Sequence, residues 1–260
     1  MTTYTLHESL DTNWRRLLTR VLLVGPPNSG KTTSLRTFPT PLIVQSYPAE
    51  KGTTSIPYAE GVKAFIGELP QPGDPVNYGQ IIRETESQTT EILTGKHGPC
   101  QTFAGDGLHK LYAIYLAEAT AGASADGKDF EARLYGSAHR RFFKYLDMVC
   151  RSAVPHVVFT CWDGREKDDP DEGGSSPSRH IFPELPGQAA KAVMGEFALV
   201  LYATRQGSGP AAKYLWQTQP MGKVWGAGAK LPLDIAKRLP LTVEQDWARV
   251  AQIIIEEGVR

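Results

Sequence analysis

The stretch with the most definite chemistry is Gly25-Pro26-Pro27-Asn28-Ser29-Gly30-Lys31-Thr32-Thr33. Gly25 and Gly30 let the backbone bend tightly, so that successive N–H groups converge on one anion, and the positive end of a following helix adds to that attraction. Lys31 is spaced to reach the outer phosphates of a triphosphate, and the Thr32 hydroxyl to hold Mg²⁺. Pro26, Pro27, Asn28, Ser29 and Thr33 complete the cradle. The pattern predicts a site for a nucleoside triphosphate, with ATP and Mg²⁺ as the expected ligands. No guanine-reading Asn-Lys-x-Asp motif is present.

Hydrolysis needs more than a cradle. It needs a carboxylate for the metal shell, a group that positions or deprotonates water, and a cation for the charge that develops on the γ-phosphate. Asp106 ends the strand-like run Cys100–Asp106 and fits the first role, unless it only caps the helix that begins near Leu108. Glu50 lies just past a second apolar run, where the C-terminal edge of a sheet converges on ligand, and fits the second role unless it is a surface residue of a turn. Thr160, at the tip of a fourth run beside Trp162, could sense the γ-phosphate or be an ordinary strand end. No cation stands within these motifs. Lys223, Lys230 and Arg205 fall in expected C-terminal turns, where they could act in cis, act on a neighbouring subunit's nucleotide, or simply be solvated.

The elements that must position these groups follow from apolar runs and breakers. Val21–Val24 reads as a strand entering the loop, with a helix from about Lys31 to Thr37 stopped by Pro39 and Pro41. Pro41–Ser46 is a second strand and Val62–Ile66 a short edge strand. Tyr78–Leu93 has helical spacing and Gly95 can terminate it. A helix from Leu108 to about Ala121, a small-residue linker over residues 122–129 and a helix over roughly 130–152 come next. The second helix carries Arg133, Arg140, Arg141 and Lys144 on its polar side. Pro155–Thr160 is a further strand, and residues 163–180 read as one mobile loop dense in Gly, Ser, Pro and charge. Residues 189–195 suggest a short helix, 196–203 a strand and 213–219 its hairpin partner; 222–231 is a loop, and about 243–257 a final amphipathic helix. Residues 1–20 read as a polar lead-in whose Arg15, Arg16 and Arg20 form a solvated basic face. Alternation of strand and helix argues for one parallel, helix-covered sheet and one domain over residues 1–260.

Composition narrows the class. The chain has 260 residues, 41% of them apolar, and equal numbers of acidic and basic side chains, so any nucleic-acid contact must come from a local patch. Three cysteines without a Cys-x-x-Cys pairing argue against a zinc site or disulfide framework and suggest a cytoplasmic protein. No run approaches the roughly 20 apolar residues of a membrane span.

Taken together, Gly25–Thr33, Pro41–Gly52, Thr102–Asp106, Pro155–Trp162 and the Lys213–Pro220 hairpin with its following Gly-rich turns resemble RecA-like ATPases. Within them they resemble the phage-encoded nucleotide-binding proteins of single-strand annealing and recombination. The resemblance covers most of residues 20–240. It implies a three-layer α/β P-loop NTPase core with a mainly parallel sheet, a further strand between the phosphate-loop strand and the Asp106 strand, and a C-terminal β-hairpin and helix. It also implies that Glu50 activates the attacking water and that single-stranded DNA is its partner. The cation missing from the core motifs leads to the expectation of a homo-oligomer with nucleotide at a subunit boundary. Residues 163–180 fall where such proteins place a DNA-contacting loop, yet Glu166, Asp168, Asp169, Asp171 and Glu172 make it acidic, and phosphate contacts need Lys or Arg. Other enzyme and binding classes stay open: a small-molecule or nucleoside phosphotransferase, and an ATP-gated assembly module with negligible catalysis.

Overall fold

The structure, a computed structural model, describes residues 19–50, 59–71, 74–121, 128–165, 181–221, 227–230 and 236–257. The lead-in over 1–18, most of the predicted 163–180 loop, the linker from 122 and Lys223 lie outside the described residues.

A sheet of 10 strands forms the centre. β1 (Arg20–Gly25) leads into the phosphate loop, α1 (Lys31–Ser34) and a 3-10 turn (Leu35–Thr37). β2 (Leu42–Ser46), β3 (Val62–Ile66), α2 (Tyr78–Leu93), β4 (Thr102–Asp106), α3 (Leu108–Thr120) and α4 (Lys128–Cys150) follow. The chain continues through β5 (His156–Arg165), β6 (Ile181–Pro183), α5 (Ala189–Gly195), β7 (Leu199–Gln206), β8 (Lys213–Gln217), β9 (Gly228–Ala229), β10 (Thr242–Glu244) and α6 (Trp247–Glu257). The order is β10-β8-β7-β1-β5-β4-β2-β3, with β6 on β5 and β9 on β7. Pairings from β7 to β3 are parallel, and those of β6, β8, β9 and β10 antiparallel. β5 lies between β1 and β4, the intervening strand that the resemblance implied, and β3 is at the edge. This is a mainly parallel P-loop NTPase α/β fold.

Strict alternation of side chains explains the three layers. Leu22, Val24, Ile43, Phe103, Val157 and Phe159 face one cluster that includes Ile82 of α2, Leu111 of α3 and Leu146 of α4. Val21, Leu23, Leu42, Val44, Ala104 and Val158 face another that includes Leu35, Phe38, Trp247 and Val250. Strands buried on both faces read as continuous apolar runs, and these do. Phe38 stacks on Trp247 with ring centroids 4.7 Å apart, which ties the segment after the phosphate loop to α6.

Several boundaries differ from expectation. Arg20 is not part of a solvated face: it is buried in β1 and donates to the carbonyls of Cys150, Ser152 and Pro155 at 2.7–3.0 Å. Residues 163–165 are not loop but the end of β5, paired with β6 as Asp163–Pro183, Gly164–Phe182 and Arg165–Ile181. β7 begins at Leu199 instead of residue 196, and contains Arg205, which is therefore in a strand and not a turn. The expected 222–231 loop includes β9. The final helix starts at Trp247 because Thr242–Glu244 pair with β8.

Candidate nucleotide site

The loop begins where β1 runs beside β7. A side chain at Gly25 would place its Cβ 2.5 Å from the Ala203 carbonyl, so strand spacing requires glycine there. Asn28 and Gly30 adopt left-handed backbone conformations (φ 62° and 87°) that turn the chain back toward α1. Lys31 is buried, and its Nζ donates to Gly25 O at 2.7 Å and Pro26 O at 2.8 Å. Burial holds its pKa below the ordinary lysine value, while Cys161, Asp163, Asp106 and Glu50 pull the other way. The loop is gripped from the far end of the chain: Gln245 Nε2 donates to Ser29 O at 2.8 Å, and a Cβ on Gly30 would meet Gln245 and Tyr214.

Asp106 stands at the end of β4, buried, facing the start of α1. It accepts from Thr32 Oγ1 at 3.1 Å and from Thr160 Oγ1 at 2.5 Å. Thr160 Oγ1 in turn accepts from Gly107 N at 3.0 Å, so the single proton of its hydroxyl is committed to Asp106. Burial pushes the Asp106 carboxyl up to about 6; the Thr160 bond opposes this and the Glu50 charge reinforces it. The hard oxygens of Thr32 and Asp106, adjacent at the mouth of the loop, are the donor chemistry Mg²⁺ takes.

Glu50 is brought to the same place by the turn after β2. Tyr47 N donates to Asp106 O at 3.1 Å, Glu50 N to Tyr47 O at 3.0 Å, and Ala49 between them is left-handed at φ 69°. Gly107 (φ 91°) makes the room: a Cβ there would lie 2.6 Å from Glu50 Oε2. The Glu50 side chain is 6% exposed, and His109 Nε2 lies 3.8 Å from its Oε2. Burial, with Lys110 and Lys31 nearby, lowers the His109 pKa to about 3, so this is contact with a neutral imidazole and not an ion pair. Trp162 N donates to His109 Nδ1 at 3.5 Å, which puts the ring proton on Nε2, toward Glu50.

Glu50, Asp106, Thr160, Trp162 and loop residues 27–33 line one cleft of about 560 Å³. Arg36, Tyr214 and Gln245 line it too, and sequence reasoning did not single them out. Arg36 is a cation of the same chain four residues beyond Thr32, in the 3-10 turn, a position helical spacing could have flagged. Tyr214 and Gln245 have no local signal. Arg205 lies on the loop's edge of the sheet, its guanidinium 5.8 Å from the Tyr214 ring centroid. Lys230 does not reach this cleft in its own chain. It follows β9 at the start of β7, its N donating to Ala198 O and its Nζ to Gly195 O, at the opposite end of the sheet from the loop.

Asp106 gives the site a testable pH signature. A carboxyl whose pKa is raised by folding favours the folded state while protonated, and that contribution is lost as pH rises from the unfolded value, near 4, through the folded value of about 6. Asp106→Asn keeps an acceptor for Thr32 and Thr160 without the buried charge. Without Mg²⁺ or nucleotide, the variant's advantage in unfolding free energy from urea titrations should widen from pH 4 to pH 6 and then stay constant, at no more than about 3 kcal/mol. A gap that is flat across this range would mean the carboxyl is not strained by burial.

A family model described as AAA domain matches residues 18–226. No curated protein matches the chain. Among 122 similar solved chains is a prototypical ATPase from the type III secretion system of pathogenic bacteria. It is 13% identical with a TM-score of 0.48, and the match covers 73% of this chain and 54% of that one. This chain thus spans about half the length of that ATPase. No helix among the described residues is long and apolar enough to cross a membrane.

Proposed function

The chain belongs to the AAA domain family, and from that premise we propose that it is an Mg²⁺-dependent ATPase of the RecA-like, phage-encoded recombination group, working on single-stranded DNA. The observation that supports this best is the convergence of Glu50, Asp106, Thr32 and Lys31, drawn from three parallel strands, on one cleft. Lys31 holds the β- and γ-phosphates against the loop. Thr32 and Asp106 would hold Mg²⁺, which would supply neutralisation of phosphate charge. Thr160 fixes the Asp106 carboxylate, and Glu50 accepts the proton of the attacking water. Tyr214, beside Gly30, takes the base, and Arg36 adds positive charge to the cleft.

The described elements work as one domain, and the active form is a homo-oligomer. In that assembly Lys223 and Lys230 serve a neighbouring subunit's nucleotide, Lys230 being remote from its own loop. Phosphate release measured with and without single-stranded DNA tests the proposal. Turnover that rises with DNA is expected. Absence of phosphate release under both conditions would reduce the protein to a nucleotide-gated assembly module, and transfer of label from ATP to a small acceptor would make it a phosphotransferase.

A further inference from the structure

A second cleft, of about 850 Å³, lies against the first and shares Trp162 with it. Its walls come from the start of α3, the end of β5, β6 and α5. Of the rings that line it, two carry an ammonium over their faces: Lys110 Nζ is 4.8 Å from the Trp162 ring centroid, and Lys191 Nζ is 5.2 Å from that of Phe182. Trp162 and Phe182 are half-buried and Lys191 is exposed. Glu184 is the single carboxylate among the described lining residues, against two lysines.

We infer that this cleft binds unpaired nucleotides of a single strand. The inference rests on the reading above that the ATPase works on single-stranded DNA, and it assigns the contact to α3, the β5–β6 pair and α5 instead of to the basic side of α4. A purely apolar groove would suit a hydrophobic peptide. Here an aromatic face and a cation are paired twice, which matches the repeat of a single strand, one base to stack and one phosphate to neutralise. In a duplex the base faces are already stacked on one another and unavailable. A base that stacks on either ring takes the place of the ammonium over it, and that ammonium then meets the strand's phosphate.

The same residues form a route to the nucleotide. The imidazole of His109 stacks on the Trp162 indole with centroids 4.8 Å apart, Trp162 N–H holds its Nδ1, and its Nε2 faces Glu50. A base that shifts the indole therefore shifts the group packed against the carboxylate that handles water. DNA binding and turnover are coupled through this stack.

The test uses the full chain loaded with a non-hydrolysable ATP analogue and a fluorescent oligothymidylate read by anisotropy, alongside ATP turnover. Phe182→Leu combined with Lys191→Gln keeps apolar packing and removes one ring and one charge. It should weaken binding about tenfold or more, leave DNA-independent turnover at the wild-type rate, and blunt the stimulation by DNA. A strand with abasic sites, carrying the same phosphates, should bind the wild type no better than the variant binds the intact strand. Arg140→Gln with Lys144→Gln on α4 should leave the affinity within about twofold, as expected for exposed charges that do not line the cleft. Wild-type affinity in the cleft variant, equal binding of abasic and intact strands, or a loss confined to the α4 variant overturns the assignment while the DNA-stimulated ATPase stands. A wild type that hydrolyses ATP but neither binds the strand nor responds to it ends the DNA reading itself, and the cleft assignment with it.

Discussion

Glu50→Gln should hydrolyse ATP about 10³-fold more slowly than the wild type while binding it as tightly, the expected loss for removing a positioned general base. The substitution preserves volume and the ability to accept a hydrogen bond, and removes only the basicity. That matters because Glu50 is packed on several sides: its side chain is 6% exposed, it fills the space left by the absent Cβ of Gly107, and it meets the neutral His109 imidazole. An alanine would empty that space and confound catalysis with folding. Nucleotide affinity is carried by the loop after β1 and by Lys31 at the start of α1, separated from β2 by β5 and β4, so single-turnover measurements should show full binding with chemistry lost. Equal turnover in variant and wild type would take Glu50 out of the reaction and leave water activation to another group of the cleft.

How legible each part of the site was depends on the range of the interaction that makes it. Gly25 to Thr33 could be read directly because a phosphate cradle is built from consecutive residues, and its chemistry dictates their spacing. Glu50 and Asp106 could be located because parallel strands deliver their C-terminal residues to the same edge, so the end of each apolar run was informative. The rest depends on pairings between distant segments. β5 continues to Arg165 because its last residues find a partner in Ile181–Pro183, and nothing within a Gly- and Asp-rich stretch announces that partner. Val243 looked helical by spacing, yet it pairs with Trp216 across the hairpin. Lys230, in a Gly-rich stretch, was open to its own nucleotide, to a neighbour's or to solvent; two residues of antiparallel pairing with the start of β7 carry it to the end of the sheet away from its own loop. His109 is a lone histidine on a helix; only the fold shows that Gly107 and Trp162 set it against Glu50.

Lys31→Ala should cut affinity for Mg²⁺–ATP about 100-fold or more in a calorimetric titration, since it deletes a buried charge that no other described residue of the loop can replace. The 7% exposure of Lys31 gives its ammonium little water to fall back on, and the loop already holds it between the carbonyls of Gly25 and Pro26, within 3.4 Å of Ser29 Oγ. Its burial is unfavourable to the charge, and four surrounding acidic or thiol groups pull against that; a polyphosphate strengthens the same pull. The loss should therefore be equally large for inorganic tripolyphosphate, which carries the charge without a base. Tyr214→Ala supplies the contrast. Tyr214 lies beside Gly30 but offers a ring instead of a charge, so its removal should weaken ATP and leave tripolyphosphate untouched. If Lys31→Ala binds ATP as the wild type does, the cleft is not a phosphate site, and the roles assigned to Glu50, Asp106 and Thr32 lose the substrate that gives them meaning.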